Sequence, residues 1–143
     1  MAYELIEGIS RADIAFRVRE ADYCSLFRAG AEALISIMLK DSDAVLKTQS
    51  LCFTCDAPDL DILYFDFLSE FIYYKDAEKL LLLPEHVDII QSDNGYSLSC
   101  RAQGEPIDRS RHIFTVDIKA ATMHHLSVVK GESDYCATIV VDV

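Results

Sequence analysis

An α+β domain, with two amphipathic helices packed on a mostly antiparallel β-sheet, is predicted by three features of the sequence. Two segments in the first half repeat apolar residues every three or four positions. The second half alternates with period two between turn signals. Helices fall early and strands late, without the regular alternation that a doubly wound parallel sheet needs. The length of 143 residues fits a single domain, residues 1–143.

Tyr3–Glu7 reads as a short strand. In Asp13-Ile14-Ala15-Phe16-Arg17-Val18-Arg19, Phe16 and Val18 fall on one face and the two arginines on the other. Cys24, Phe27, Ala31, Leu34, Ile35 and Met38 then form a helical stripe, with Asp22 placed to cap its free amides and Asp41-Ser42-Asp43 ending it. Leu46–Cys55 is predicted as a strand. Asp56-Ala57-Pro58-Asp59 starts a second helix, with a capping carboxylate and a proline near the first turn. Its stripe is Leu60, Leu63, Tyr64, Phe67, Leu68, Phe71 and Ile72, and it should end between Tyr74 and Glu78. His86–Gln91 and Tyr96–Ala102 form a hairpin across Ser92-Asp93-Asn94-Gly95. Gly104-Glu105-Pro106-Ile107-Asp108 is a loop. Ile113–Lys119, Leu126–Lys130 and Tyr135–Val143 are further strands, the last two joined by a turn at Gly131–Asp134.

Composition narrows the function. Hydrophobic residues make up 51% and charged residues 26%, which suits a folded domain, and the sequence has no repeat or low-complexity tract. A net charge of -11 repels phosphate backbones, so direct nucleic-acid binding is not expected, whereas basic proteins and divalent cations are attracted. The start of the sequence has no signal-peptide pattern and no apolar run reaches membrane-spanning length, so a cytoplasmic protein without membrane attachment is expected. The five cysteines lack framework spacing and read as reduced thiols.

The familiar catalytic signatures are missing: no phosphate-binding glycine loop, no nucleophile elbow and no His-Glu-x-x-His. Cys52-Phe53-Thr54-Cys55 would need two further ligands for zinc, from Cys100 and Cys136 at a distance, and its two thiols face opposite sides of a strand. Ordinary thiols are the better reading. His124-His125 is treated the same way, because neighbours on a strand point apart. The tail Ile139-Val140-Val141-Asp142-Val143 is apolar enough for a central strand. It sets Asp142 beside the terminal carboxylate of Val143, and Asp13, opening another strand, is able to join them. Hard cations such as calcium and magnesium seek that oxygen density, although acids at a chain end are more often simply solvated. Lys119 is either an exposed strand residue or a partner for a carboxylate or phosphate.

Taken in order, these segments resemble the archease family across nearly the whole chain. Tyr3-Glu4 with Ala12-Asp13-Ile14 resembles the family's opening strand and its His-Thr-Ala-Asp segment. The first helix, with Leu39-Lys40-Asp41-Ser42, is similar to the family helix closing in a Met-Thr-Asp turn. Asp59-Leu60-Asp61-Ile62-Leu63-Tyr64, running on to Phe71-Ile72-Tyr73, is similar to its acidic-then-apolar second helix. Gly104-Glu105-Pro106-Ile107-Asp108 with His112 looks like a family loop. Asp117-Ile118-Lys119-Ala120-Ala121-Thr122-Met123-His124 resembles the Lys-Ala-Val-Thr-Tyr-His strand, and Asp142-Val143 the Asp-Ile ending. One segment departs. Glu7-Gly8-Ile9-Ser10-Arg11-Ala12-Asp13 has neither the histidine nor the threonine, is longer, and brings Arg11 close to the expected metal.

The resemblance implies a small acidic protein that is not itself an enzyme. Archeases assist the GTP-dependent tRNA-splicing ligase by promoting its guanylylated intermediate and its repeated turnover. Some are linked to a tRNA methyltransferase, as a chaperone that modulates specificity. It also implies a divalent metal, calcium first, held by Asp13, Asp142 and the Val143 carboxylate, with Lys119 as a functional lysine and Asp41 and His112 in matching loops. Two other readings compete. One is a metal-dependent phosphoester hydrolase using Asp13, Asp142 and either His112 or His124. The other is a general chaperone or interaction module without a metal.

Overall fold

The computed structural model describes residues 3–7 and 13–143. Gly8, Ile9, Ser10, Arg11 and Ala12 of the divergent segment therefore lie outside the described residues. The elements are β1 (Glu4–Ile6), β2 (Asp13–Glu20), α1 (Tyr23–Met38), β3 (Gln49–Ala57), α2 (Leu60–Ala77), β4 (Leu80–Ser92), β5 (Gly95–Pro106), β6 (Ala120–Lys130) and β7 (Tyr135–Asp142), with a 3-10 turn at Ser42–Ala44.

The α+β class and the two helices are as predicted, but the strands form two sheets. One runs β1-β2-β7-β6 and the other β3-β5-β4. Every pairing among the named strands is antiparallel. Both helices contact both sheets. The reason is visible in α1, which buries Leu26, Ala29, Gly30, Ala33 and Ile37 in addition to most of the predicted stripe. A helix apolar on more than one face needs cover on more than one side. In α2 the buried set is the predicted stripe continued by one residue, Lys75.

Capping follows chemistry legible in the sequence. Asp22 accepts from the Ser25 amide at 2.8 Å, and Asp59 accepts from the Ile62 amide at 2.9 Å. The cap of α2 is thus Asp59, while Asp56 and Ala57 finish β3. Gly95, at φ 129°, closes the hairpin turn with a backbone that other residues rarely adopt. The strand β4 begins earlier than predicted, and its register shifts between Pro84 and His86, where proline, lacking an N–H, breaks the ladder.

Three sequence expectations are corrected. β3 starts at Gln49 rather than Leu46, because the Leu46 amide is taken by the Glu105 carboxylate at 2.7 Å. Gly104–Pro106 is not loop but the end of β5, and a Cβ at Gly104 would run into the backbone of Leu81. Finally, 113–119 is not a strand, and its alternation has another cause. Phe114, Val116 and Ile118 turn inward while the residues between them are exposed. The Thr115 amide and hydroxyl bond to the Met38 and Ile37 carbonyls at the end of α1. The segment satisfies carbonyls that a helix end leaves free, and its one ladder contact is the isolated bridge Leu39–Phe114.

The core centres on aromatic rings contributed by both helices and β3. Phe27 lies 5.0 Å from Tyr64 and 5.7 Å from Phe67, while Phe53 lies 5.7 Å from Phe71, centre to centre. Such contacts each contribute about 0.5–1.5 kcal/mol beyond area burial. Tyr64 packs against the backbone of Gly30, and a Cβ there would meet its ring and hydroxyl. That hydroxyl is buried with no hydrogen-bond partner among the described residues. Helix propensity alone would make Gly30→Ala stabilising by about 1 kcal/mol. The packing predicts the opposite sign, a loss of about 1–3 kcal/mol. Tyr64→Phe removes an unsatisfied group and should be neutral or stabilising by about 1 kcal/mol. Urea midpoints at unchanged slope would check both signs.

Candidate functional site

The strand β7 lies between β2 and β6, and its two registers assemble the candidate site. Asp142 is paired directly with Asp13 of β2 on one side and with Ala120 of β6 on the other. Directly opposed residues project to the same face, with Cβ atoms about 4.5–5.5 Å apart. Both aspartates and Val143 are half-buried. The amide of Lys119 donates to the Asp142 carbonyl at 2.8 Å. Lys119 itself is exposed, and it lines a shallow groove with Ile72, Tyr73 and Asp76 of α2. Four of the six predicted site residues therefore lie at one end of one sheet.

Like charges facing each other across a strand pair destabilise it. Among the described residues no basic side chain forms an ion pair with Asp13 or Asp142. Two carboxylates in register offer oxygen donors of the kind that a hard cation accepts. Among the described residues no three His, Cys, Asp or Glu side chains gather around one point, so a third side-chain ligand of those types is not supplied.

A buried cation fixes the path of the chain into Lys119. Lys75, 3% exposed, forms ion pairs with Asp76 and, at 2.8 Å, with Asp117. It stands in the last turn of α2, where the helix carbonyls favour positive charge. Lys75 was absent from the sequence reading. The signal was available, since it falls three and four residues after Ile72 and Phe71 on the buried stripe.

The other two predicted residues sit elsewhere. The Asp41 carboxylate accepts from the Asp43 amide at 3.0 Å and caps the 3-10 turn. His112 is 1% exposed, so it is neither a partner-facing residue nor an accessible base. Its Nδ1 accepts from the Asp108 amide at 2.9 Å, which leaves the proton on Nε2, 2.9 Å from the Glu105 carboxylate. Glu105, also buried, pairs with Arg111, whose guanidinium reaches the Ala44 carbonyl as well. This clamp ties the end of β5 to the segment after α1, and buried charge requires such partners. The Arg111 side chain, the Leu46 amide and His112 together hold the Glu105 carboxyl down at about 2.

The cysteines divide as the strand geometry predicts. Cys52 is exposed and Cys55 buried, and burial pushes the Cys55 and Cys100 thiols up to about 12. All five are free. The two adjacent histidines do not behave as predicted. The β6 register shifts between Thr122 and Ser127, His125 takes a φ of 55°, and the His124 and His125 rings approach to 4.9 Å.

Two helices shared by two antiparallel sheets, with paired carboxylates at adjoining strand ends, define an archease-type α+β domain. The sequence model of the Archease protein family (MTH1598/TM1083) matches residues 3–143, and this chain belongs to that family. It is 31% identical to "Protein archease" of Methanopyrus kandleri over 142 residues, covering 99% of each chain. It is 28% identical to that of Archaeoglobus fulgidus over 143 residues, covering 100% of each. Among solved structures it is similar in fold to Methanobacterium thermoautotrophicum protein 1598, with a TM-score of 0.84 at 23% identity over 99% of this chain and 98% of that one. It is also similar to a Thermotoga maritima protein described as "an archease, possible chaperone", with a TM-score of 0.65 at 17% identity over 98% of both chains. Among the described residues no helix is long and apolar enough to cross a membrane.

The Glu105 clamp carries a pH signature. Its folded carboxyl titrates at about 2, below the ordinary glutamate value of about 4.3. The stability it contributes is therefore complete above about 4.3 and is lost as pH falls from there towards 2. Glu105→Gln should be less stable at neutral pH and should flatten the stability profile in that window. Thermal melts between the two pH limits would read the difference.

Proposed function

We propose that this chain is a non-catalytic protein cofactor of the GTP-dependent tRNA-splicing ligase, acting in the cytoplasm to promote ligase guanylylation and turnover. The reading rests on archease membership and on one observation, the register that sets Asp13 against Asp142 beside Lys119. Asp13, Asp142 and the Val143 carboxylate would hold a divalent cation, calcium first, since the donors are all oxygen. A cation so held supplies positive charge for a phosphate-bearing centre on the partner. Lys119, exposed at the same end of the sheet, contributes a second positive charge within reach of a phosphate. The acidic surface, with a net charge of -11, suits docking to the basic RNA-binding face of a ligase.

Guanylylation of the cognate ligase, measured with GTP at fixed metal, should rise strongly when the full chain is added. It should fall back to the level of ligase alone with Asp142→Asn or Asp13→Asn, and in part with Lys119→Ala. An active ligase that does not respond to the wild-type chain would overturn the assignment of partner. Metal binding is read separately. In chelator, Asp142→Asn should be more stable than wild type by about 0.2–1 kcal/mol, because it removes a like-charge pair. Added calcium should raise the melting temperature of wild type but not of the variant. Equal calcium shifts in both proteins would remove Asp142 from the ligand set.

A further inference from the structure

The histidine pair on β6 points to a site that the carboxylate cluster does not account for. Neighbouring residues on a regular strand project to opposite faces. Here the strand is irregular between Thr122 and Ser127, and His125 is one of only two non-glycine residues with positive φ among the described residues. The left-handed backbone at His125 interrupts the alternation of a regular strand. The rings then lie 4.9 Å apart, centre to centre, at 69° to each other, and both residues are exposed. The irregularity is anchored at its start. The Thr122 hydroxyl donates to the Val140 carbonyl at 2.8 Å and accepts from the His124 amide at 3.2 Å.

Two imidazoles on one metal ion have a comparable ring separation. With metal–nitrogen bonds of about 2.0–2.1 Å, two imidazoles on one ion have ring centres about 4.5–5.2 Å apart for bond angles from square to tetrahedral. Neutral imidazole suits zinc, copper and nickel, not the hard cations that carboxylates prefer. Exposure leaves the remaining coordination positions to water. The net charge of -11 raises the local concentration of any dication. A strained backbone that brings together two side chains which a flat strand would separate is a recurring feature of binding sites.

We propose that His124 and His125 form a second metal site, selective for a borderline transition-metal dication such as copper(II) or zinc and independent of Asp13 and Asp142. The two sites differ in chemistry, so their occupancies are set by different ions.

The test titrates copper(II) alone into the full chain in excess calcium, with binding followed by calorimetry and electron paramagnetic resonance. Copper(II) is the probe because it binds nitrogen donors most tightly among the first-row dications. A tight copper signal with two equatorial imidazole nitrogens is expected. His124→Gln and His125→Asn should each weaken it about tenfold or more, since even indirect loss of support around a metal costs that much. Asparagine at 125 tolerates the left-handed backbone, so the fold is retained. Asp142→Asn should leave copper affinity unchanged. A signal with a single imidazole nitrogen, or unchanged affinity when both histidines are replaced, would overturn the proposal. Loss of copper binding in Asp142→Asn would also overturn it, by assigning the copper to the carboxylate pair.

Discussion

The register of β7 is the constraint on which the rest of the structure depends. The strand is paired along both edges, and Ala137, Ile139 and Val141 are fully buried. A slip of one residue would turn that row away from the core, so the register is held by the whole apolar face. Asp142 then has no choice of neighbours. It stands against Asp13, and its carbonyl receives the amide of Lys119. The site is a consequence of core packing, and its like-charge cost is carried by strands whose burial greatly exceeds it.

Two charge clusters, each built on a buried residue, govern the part of the chain that forms no regular ladder. Glu105, Arg111 and His112 hold the end of β5 to the segment after α1. Lys75 holds Asp117 to the end of α2. Between them, Thr115 closes the open end of α1. Apolar burial tolerates many arrangements of an irregular segment. Ion pairs and hydrogen bonds have narrow geometry, and leaving one unmade in the interior is costly. The path into Lys119 is therefore specified by these polar contacts.

The chemistry of the surface is divided by donor type. Asp13 and Asp142 are paired at the end of the β2–β7–β6 sheet, the His124 and His125 rings lie close together on β6, and His112 is buried. Family membership and the carboxylate register are the two observations from which the proposed role is argued. The net charge of -11 favours a basic partner over nucleic acid itself.

Both helices, their caps at Asp22 and Asp59, the hairpin at Gly95 and the central position of the final strand were legible in the sequence, because each depends on residues within a few positions of one another. Asp13, Lys119, Asp142 and Val143 could be named as candidates from their type and order, and the register of β7 then set Asp13 against Asp142. What only the tertiary structure decided was which residues meet. The split into two sheets followed from the extra buried faces of α1. The alternation at 113–119 served helix capping in place of pairing, which no local pattern distinguishes. His112 was drawn inward by a glutamate seven residues away, and Lys75 was buried by an aspartate forty-two residues away. The His124 and His125 rings come to 4.9 Å where β6 loses its register with β7, between Thr122 and Ser127. Period and propensity act along the chain, whereas burial, charge pairing and register act across it.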